Sequence, residues 1–479
     1  MEVRATVPPW VIAAAVMASA LALGGLSGVD PRLGILAAAG LAFVALVMAN
    51  LTLGLCLFTL IAFVDALPTA AGSALSIQKA AGIVLVGSWL GTVAVQRKSV
   101  KTFVGAHPAM SLLLVAFLTW AGISAVWAEY APAAETAVFR YCLSIVLALI
   151  VFSAVQTRDE ALWVLKAFVA GAALAATYGI VAGGTTEAVN SSSGVSRISG
   201  TSGDPNEFAA MLVVGMVLAA AVALSERRLL LRWAAAGAIG ACMLGIVLTV
   251  SRGGLVALAA ALIVAVVLSG RWRIPTAALV LAAALVTIGY FTTYAPPAAQ
   301  ERVVETQGGS GREDLWEVAW RMVQDRPLLG VGAGNYPISA IDYLLRPGVI
   351  VRDEFIIDTP KAPHNVYLSV AAELGIIGLA MFLAILGFAV ASMLKAARLF
   401  EQQGDEQMEI YARALAVAFV GLLTADFFLS EAFGKQLWLL VGLGPALLAV
   451  ARRSTPVTSD PVPSPRRSAP SMLATAPRL

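Results

Sequence analysis

The chain has 479 residues, of which 59% are hydrophobic and 13% charged, and its formal net charge is +3. A mean hydropathy of +0.85 excludes a soluble globular domain of this length, which would have too little polar surface to cover its core. No basic cluster interleaved with aromatic residues is present, so we expect no nucleic-acid partner.

Apolar stretches of about 17 to 22 residues recur along the chain, the length that a helix needs to cross the hydrocarbon of a bilayer. They lack the alternating pattern of an outer-membrane barrel. We therefore predict an all-α polytopic membrane protein of about 12–14 transmembrane helices, with one long outer (periplasmic) loop that contains amphipathic helices. Counted singly, the predicted spans are roughly 10–27, 33–49, 51–67, 76–95, 109–127, 138–155, 161–182, 207–224, 233–250, 253–269, 274–291, 366–393, 411–429 and 435–451.

The first apolar run could be a signal peptide, but residues 28–30 make a poor small-residue cleavage site, so we predict an uncleaved span. Cys56, Cys142 and Cys242 stand singly inside apolar runs. That spacing is wrong for a zinc site, and burial in a membrane argues against a disulfide framework. We expect neither a metal nor a cofactor.

Charges in the short loops predict the sidedness, because cytoplasmic loops are enriched in Lys and Arg. With the N-terminus inside, every short loop falls on the expected side, and the intervening loops are acidic or nearly uncharged, as around Glu129 and Glu135. The prediction is a multi-pass protein of the bacterial inner membrane with both termini cytoplasmic. The basic residues of the alternate loops are Arg97, Lys98, Lys101, Arg158, Arg227, Arg228, Arg232, Arg271, Arg273, Lys395, Arg398, Arg452 and Arg453.

This topology divides the chain into five predicted regions. The segment 292–365 is far longer than an ordinary connection, and loops of that length are usually functional. The regions are 1–182, N-terminal transmembrane helices; 183–291, central transmembrane helices with arginine-bearing outer loops; 292–365, the long periplasmic loop; 366–453, C-terminal transmembrane helices; and 454–479, a disordered cytoplasmic tail.

The first polar outer loop reads SRISGTSGDPNEFAAML and contains Arg197. Asp204 and Glu207 have the spacing of a capping box, so helix capping accounts for this stretch and competes with a binding role for Asn206. Arg197 has no such structural explanation. A glycine beside it, Gly200, would let the backbone approach a ligand closely.

Arg252 stands in a tight turn between two apolar runs. It could extend toward the lipid headgroups and orient its span. We favour a functional role, because positive charge on the outer face runs against the general bias and ionisable groups at membrane depth usually mark function.

The long loop contains the stretch GREDLWEVAWRMVQDRPLLGVGAGNYP. Apolar residues at helical spacing predict an amphipathic helix from about Arg312 to Gln324, ended by Pro327. We interpret its apolar stripe as packing. Arg312 in the first turn opposes the helix dipole, which implies a partner carboxylate or an anionic ligand.

His364 is one of two histidines and precedes a helix predicted to begin near Asn365. The helix dipole and nearby arginines favour a neutral ring at pH 7, which a general base needs. The alternative is a histidine merely hydrogen-bonded at an interface. Glu373 should lie on the opposite side of this helix and about 13 Å deeper, so we predict a buried structural pairing for it and no direct contact with His364.

Several arginines and one neutral histidine suit a reaction whose leaving group is a polyanion. The planar guanidinium binds phosphate oxygens through two parallel hydrogen bonds and stays charged at any relevant pH. A pyrophosphate attached to a membrane lipid, departing as an acceptor hydroxyl attacks, would need such a clamp and one base.

Four motifs in this order resemble the bacterial O-antigen ligase and polymerase-like membrane proteins: RISGTSGDPNEFA, LTVSRGGLVAL, GREDLWEVAWRMVQDRPLLGVGAGNYP and APHNVYLSVAAELGIIGLA. The resemblance covers roughly residues 197–380. It implies a metal-independent inverting glycosyltransferase that moves a glycan from undecaprenyl pyrophosphate to an acceptor hydroxyl on the outer face of the inner membrane. The implied catalytic residues are Arg197, Arg312 and His364. We assign substrate binding to Arg252, Asn206, Asn335 and Asn365.

The expected partners are an undecaprenyl-pyrophosphate-linked oligosaccharide, a glycan or lipid A-core acceptor, and the bilayer. One dominant outer loop favours a ligase over a repeat-unit polymerase of O-antigen or exopolysaccharide by a small margin. Transfer to protein serine or threonine is a third possibility. A transporter of the same lipid is a different class, and the sequence lacks the internal repeat common in transporters.

Overall fold

The computed structural model describes residues 27–63, 77–96, 99–183, 197–297, 299–300, 312–344, 362–430 and 432–454, with isolated residues between 17 and 25. Within these ranges the chain forms α-helices and no strand, as the sequence predicts. In chain order the helices are α1 (Pro31–Ala49), α2 (Leu51–Ile61), α3 (Ile77–Gln96), α4 (Ser99–Ala106), α5 (Pro108–Ile123), α6 (Ala131–Ala154), α7 (Arg158–Val181), α8 (Pro205–Ser225), α9 (Leu229–Leu248), α10 (Arg252–Leu268), α11 (Arg273–Gly289), α12 (Arg312–Asp325), α13 (Tyr336–Leu344), α14 (Val366–Gln403), α15 (Glu406–Ala425) and α16 (Lys435–Ser454).

Nine helices in the described ranges are long and apolar enough to cross a membrane: α5–α9, α11 and α14–α16. Shorter apolar helices include α2 and α10. The chain is therefore a multi-pass membrane protein. The predicted first span and the tail after residue 454 lie almost wholly outside the described residues, as do parts of both long polar loops.

Several predicted helix boundaries are confirmed, and others differ from the prediction by several residues. The predicted break between two short spans occurs at Asn50, whose side chain accepts a hydrogen bond from the amide of Leu53 at 3.0 Å. Helix α6 begins at Ala131, seven residues before the prediction of 138, because a proline in its first turn allows an earlier start. Helix α14 continues ten residues beyond the predicted end at 393 and is closed by Gly404 at a φ of 72°.

Helices α8 and α16 are the most buried of the nine long spans and form the centre of the bundle. Their neighbours approach closely at small residues. A Cβ on Gly442 of α16 would lie 2.7 Å from the carbonyl oxygen of Ala148 on α6, and one on Gly215 of α8 would overlap the Cβ of Ala172 on α7. Close backbone approach of this kind is the usual means of packing helices in a membrane.

The bundle has two chemically different ends. At one, which we call the ion-pair end, α7 and α15 begin and α14 terminates; Arg158 lies 2.9 Å from Asp405, and Arg413 lies 2.7 Å from Glu401. At the other, which we call the site end, α8, α10 and α14 begin and α12 and α13 pack.

Candidate functional site

Arg197 is held at the site end by two hydrogen bonds. Its Nε donates to the carbonyl oxygen of Thr249 at 2.7 Å, and its Nη2 donates to Oδ1 of Asn206 at 3.1 Å. The predicted capping residue Asp204 begins α8, accepting hydrogen bonds from the amides of Asn206 and Glu207. The Asp204 cap thus fixes Asn206, which orients the guanidinium of Arg197.

The turn that carries Arg252 is joined to the same residues. Ser251 caps α10 and donates from Oγ to Oδ1 of Asn206 at 2.8 Å. Arg252 follows as the first residue of α10 and is partly buried. Asn206 therefore links Arg197 to the Arg252 turn, two features that lie far apart in the sequence.

The connection after α15 joins this turn to the histidine. A Cβ on Gly253 would lie 2.9 Å from the Cβ of Phe428, so the turn packs directly on that connection. Two residues later, Oγ of Ser430 accepts a hydrogen bond from the amide of His364 at 3.0 Å. The backbone of His364 is thereby held by the connection on which the Arg252 turn packs.

Helix α12 is the amphipathic helix that the sequence predicts, and it is confirmed from Arg312 to Asp325. Its apolar stripe is buried at Leu315, Val318, Ala319 and Met322. One turn from Arg312, Trp316 donates from Nε1 to the carbonyl oxygen of Pro363 at 2.7 Å, and its ring lies 6.5 Å from that of Phe428. Arg312 is thus attached to the segment that precedes His364.

Two residues of this cluster carry backbone strain. Among the described non-glycine residues, only Val250 (φ 47°) and His364 (φ 49°) have a positive φ. Such a conformation costs about 1–3 kcal/mol and is concentrated at functional sites. Val250 follows the carbonyl that holds Arg197, and His364 is the proposed base, so both strained positions flank the predicted chemistry.

The three predicted asparagine contacts have structural roles. Asn206 uses its Oδ1 for Arg197 and Ser251, and Asn365 caps α14 by accepting from the amide of Leu368 at 3.0 Å. Asn335 is fully buried and bonded to both backbone groups of Tyr130, at 2.9 and 3.3 Å. In the structure these side chains therefore position backbone and neighbouring side chains, and their contacts with substrate stay a prediction.

The carboxylate of Glu373 holds the backbone of the glycine-rich stretch at 330–336. Its carboxylate accepts hydrogen bonds from the amides of Gly334 at 2.8 Å and Tyr336 at 3.4 Å, at the start of α13. Helix α14 breaks at Gly375, with a φ of 68°, where a Cβ would overlap the carbonyl oxygen of Leu328. A carboxylate in the bundle thus anchors the long loop.

Several residues around the cluster could not be predicted from the sequence. Ser430 and Phe428 lie in the connection between α15 and α16, where no local motif indicates a function. Their contacts exist because α10, α12 and the start of α14 meet around this connection. Arg140 was not singled out either: its guanidinium carbon stands 5.8 Å from the ring centroid of Phe433, which lies in the same connection. An arginine inside a predicted span could have been noticed.

No group of three or more His, Cys, Asp or Glu side chains that could hold a metal ion occurs within the described ranges. The cysteines described there are free thiols. The cluster offers guanidinium groups, one imidazole and hydroxyl groups.

Comparison with known proteins confirms the resemblance that the motifs predict. A family model described as O-antigen ligase matches residues 237–383, a stretch that contains Arg252, Arg312 and His364 but not Arg197. A curated O-antigen ligase of Pseudomonas aeruginosa (strain PAO1) is 29% identical over 206 residues. Those residues are 42% of this chain and 44% of the relative, so the match spans less than half of either protein.

Proposed function

We propose a function for this chain on the premise that it is an O-antigen ligase-like membrane protein. It transfers a glycan from undecaprenyl pyrophosphate to an acceptor hydroxyl at the outer face of the inner membrane, with both of its termini in the cytoplasm. The observation that supports the proposal most is that the four separate segments carrying Arg197, Arg252, Arg312 and His364 are joined at one end of the bundle, by contacts of Arg197 itself and of residues next to the other three.

The arginines hold the diphosphate of the donor. Arg197 and Arg312 are the principal clamp and Arg252 assists, because guanidinium groups bind phosphate oxygens through paired hydrogen bonds and keep their charge. As the bond between the anomeric carbon and the diphosphate oxygen breaks, negative charge grows on the leaving group. Fixed cations aimed at developing charge are usually the largest single catalytic contribution.

His364 acts as the general base. The acceptor hydroxyl gives its proton to the imidazole as its oxygen forms a bond to the anomeric carbon, and undecaprenyl pyrophosphate leaves from the opposite side of the sugar. One displacement inverts the anomeric configuration.

The acceptor that we propose is a sugar hydroxyl of the lipid A core, as in an O-antigen ligase. The test is transfer by the purified chain in lipid nanodiscs, supplied with a lipid-pyrophosphate glycan and lipid A-core, and with mass spectrometry of the products. We expect glycosylated lipid A-core, inverted at the new linkage, in the presence of a metal chelator. A product extended on a second lipid-linked glycan would identify a polymerase, and glycosylated serine or threonine peptides a protein transferase.

A transporter would consume no donor in this assay. If none of the three acceptors is glycosylated while the lipid crosses the membrane of a liposome, the enzymatic proposal is wrong.

The proposed sidedness has its own measurement. Cysteines introduced singly at positions 197, 312 and 364 in a background without the native cysteines should all react with a membrane-impermeant maleimide in intact cells whose outer membrane is permeabilised. Labelling of any one only after the inner membrane is opened would separate the residues and exclude a shared active centre.

A further inference from the structure

A large cavity lies between α11 and the rest of the bundle, with a volume of about 610 Å³. Pockets for small ligands typically measure about 300–1,000 Å³. It runs along α11 from Pro275 to Tyr290, about 22 Å at the helical rise. We call it the α11 groove. Its wall opposite α11 is formed by side chains of α8, α9, α10 and α15, including Met216, Ala220, Met243, Leu262 and Val417.

The α11 groove is apolar for almost all of its length. Its polar side chains are Ser269 and Arg413, near the ion-pair end, together with Thr276 and Tyr290. No described side chain of α11 is fully buried. The inner face of α11 borders this cavity, and a hydrocarbon in the groove would supply the dispersion contacts that are missing there.

The upper end of the α11 groove reaches the arginine cluster. Val247 lines the groove, and two residues later the carbonyl oxygen of Thr249 accepts the 2.7 Å hydrogen bond of Arg197. Tyr290 also lines it and packs against Val250, which precedes the Arg252 turn. An anionic headgroup held by these arginines would therefore have the mouth of an apolar channel directly beneath it.

We propose that the α11 groove binds the polyisoprenyl chain of the lipid-linked donor. This inference rests on the proposed function and specifies where the lipid part of that substrate lies. The groove matches a molecule with one hydrocarbon chain on a diphosphate, because arginines lie near its mouth and a single continuous apolar channel extends from there. An acyl chain of an ordinary phospholipid is the competing occupant, and the experiment separates the two.

Adjacent positions on α11 provide a matched pair of variants. Ala283 lines the groove, whereas Leu281 is 60% exposed on the outer side of the helix and does not line it. In Ala283→Trp the indole fills the channel, so KM for an undecaprenyl donor should rise at least about tenfold, since the loss of apolar contacts in a pocket has effects of that order. KM for the same glycan on a geranyl diphosphate, and kcat, should stay near the wild-type values, and Leu281→Trp should leave every parameter unchanged.

Equal KM values for the undecaprenyl donor in the two tryptophan variants would overturn the proposal. So would the same increase in KM for both donors in Ala283→Trp, because that result would indicate a general disturbance of the fold.

A binding measurement needs no transfer reaction and keeps the two proposals distinguishable. A benzophenone amino acid replaces Val280 in the groove or, as control, Leu281, and the protein is irradiated in nanodiscs containing undecaprenyl diphosphate. We expect the polyisoprenoid adduct at Val280 and phospholipid adducts at Leu281. Phospholipid adducts alone at Val280, not reduced by added undecaprenyl diphosphate, would make the groove a bilayer-lipid site. If the polyisoprenoid adduct forms but no acceptor is glycosylated, the groove binds the lipid as proposed and the proposed transferase function is wrong.

Discussion

The two ends of the helix bundle use the same residue types in different ways. At the ion-pair end, basic side chains contact carboxylates: Lys166 lies 2.8 Å from Glu226, and Arg413 lies 3.0 Å from Glu409. At the site end, Arg321 also pairs with a carboxylate, that of Glu317 at 3.0 Å, whereas Arg197 donates to a backbone carbonyl and to an amide oxygen. Those two oxygens orient the Arg197 guanidinium.

This difference teaches how to interpret charge in a membrane protein. On the predicted sidedness, the ion-pair end follows the positive-inside bias, and its basic residues contact carboxylates that connect helices. The arginines of the site end would oppose that bias, and the reason that we propose for them is an anionic ligand. Substitutions at the two ends should therefore affect different quantities: activity at the site end and stability at the ion-pair end.

Substitutions of the two histidines should differ most in their effect on kcat. We expect His364→Asn, which tolerates the positive φ, to lower kcat by roughly 10²–10⁴-fold, the usual contribution of a general base. His107 is buried, and its Nε2 lies 3.1 Å from the carbonyl oxygen of Pro445. His107→Asn should lower the melting temperature and leave kcat of the folded protein unchanged. Full activity of the His364 variant in the nanodisc assay would remove it from the mechanism.

Arginine-to-lysine substitutions compare the two ends at constant charge. Arg312→Lys should lower kcat/KM by roughly 10–100-fold, because lysine cannot form the paired hydrogen bonds to a diphosphate, each worth about 1.5–3 kcal/mol. Arg158→Lys at the ion-pair end is the control and should leave kcat/KM unchanged. Steady-state kinetics with the lipid-linked donor measure both. An equal loss in the two variants would contradict the division into a functional and a structural end.

Glu373→Ala tests the anchor of the long loop. The amides of Gly334 and Tyr336 would lose their acceptor, at a cost of about 1–3 kcal/mol for a buried unsatisfied donor. We expect a lower melting temperature and faster hydrogen exchange in residues 330–344. Glu373→Gln retains one carbonyl acceptor and should fall between the wild type and the alanine variant. Unchanged exchange in the alanine variant would show that other contacts hold the loop.

The smallest expected effect is at the ion-pair end and depends on pH. The hydrogen bond from Lys166 holds the pKa of Glu226 below its ordinary value. Because the pKa of Glu226 is lower in the folded than in the unfolded state, its ionised form stabilises the fold. That stabilisation is complete above the pKa of the unfolded state and is lost as the pH falls through the pKa of the folded state. Glu226→Gln should therefore be less stable than the wild type at neutral pH by less than about 1 kcal/mol, and the difference should vanish in acid. A difference that grows in acid would have the wrong sign.

Local signals in the sequence predicted many elements correctly. The spans, the break at Asn50, the cap at Asp204 and the amphipathic helix α12 each depend on residues within a few positions of one another. The early start of α6 was missed, since hydropathy marks the apolar part of a span and not its full helix. The kink at Gly375 was missed because it depends on a close approach by a loop some fifty residues earlier in the chain.

The sequence indicates candidate site residues by their type. The scarcity of histidine and the arginines on the predicted outer face single out Arg197, Arg252, Arg312 and His364, and the structure adds which contacts surround them. Asn335, which we predict to bind substrate, is completely buried in the structure. Such an assignment depends on which neighbour satisfies the amide, and that neighbour is Tyr130, about two hundred positions away.

By itself, the sequence determined that this protein crosses a membrane many times and that arginines and a histidine stand at the ends of its apolar runs, because hydropathy and charge are properties of short segments. Only the tertiary structure decided that Asn206, Phe428, Trp316 and Ser430 join the segments that carry those residues, and that an apolar groove lies next to them. Contacts between distant segments depend on how whole helices pack, and no short stretch of sequence records that packing.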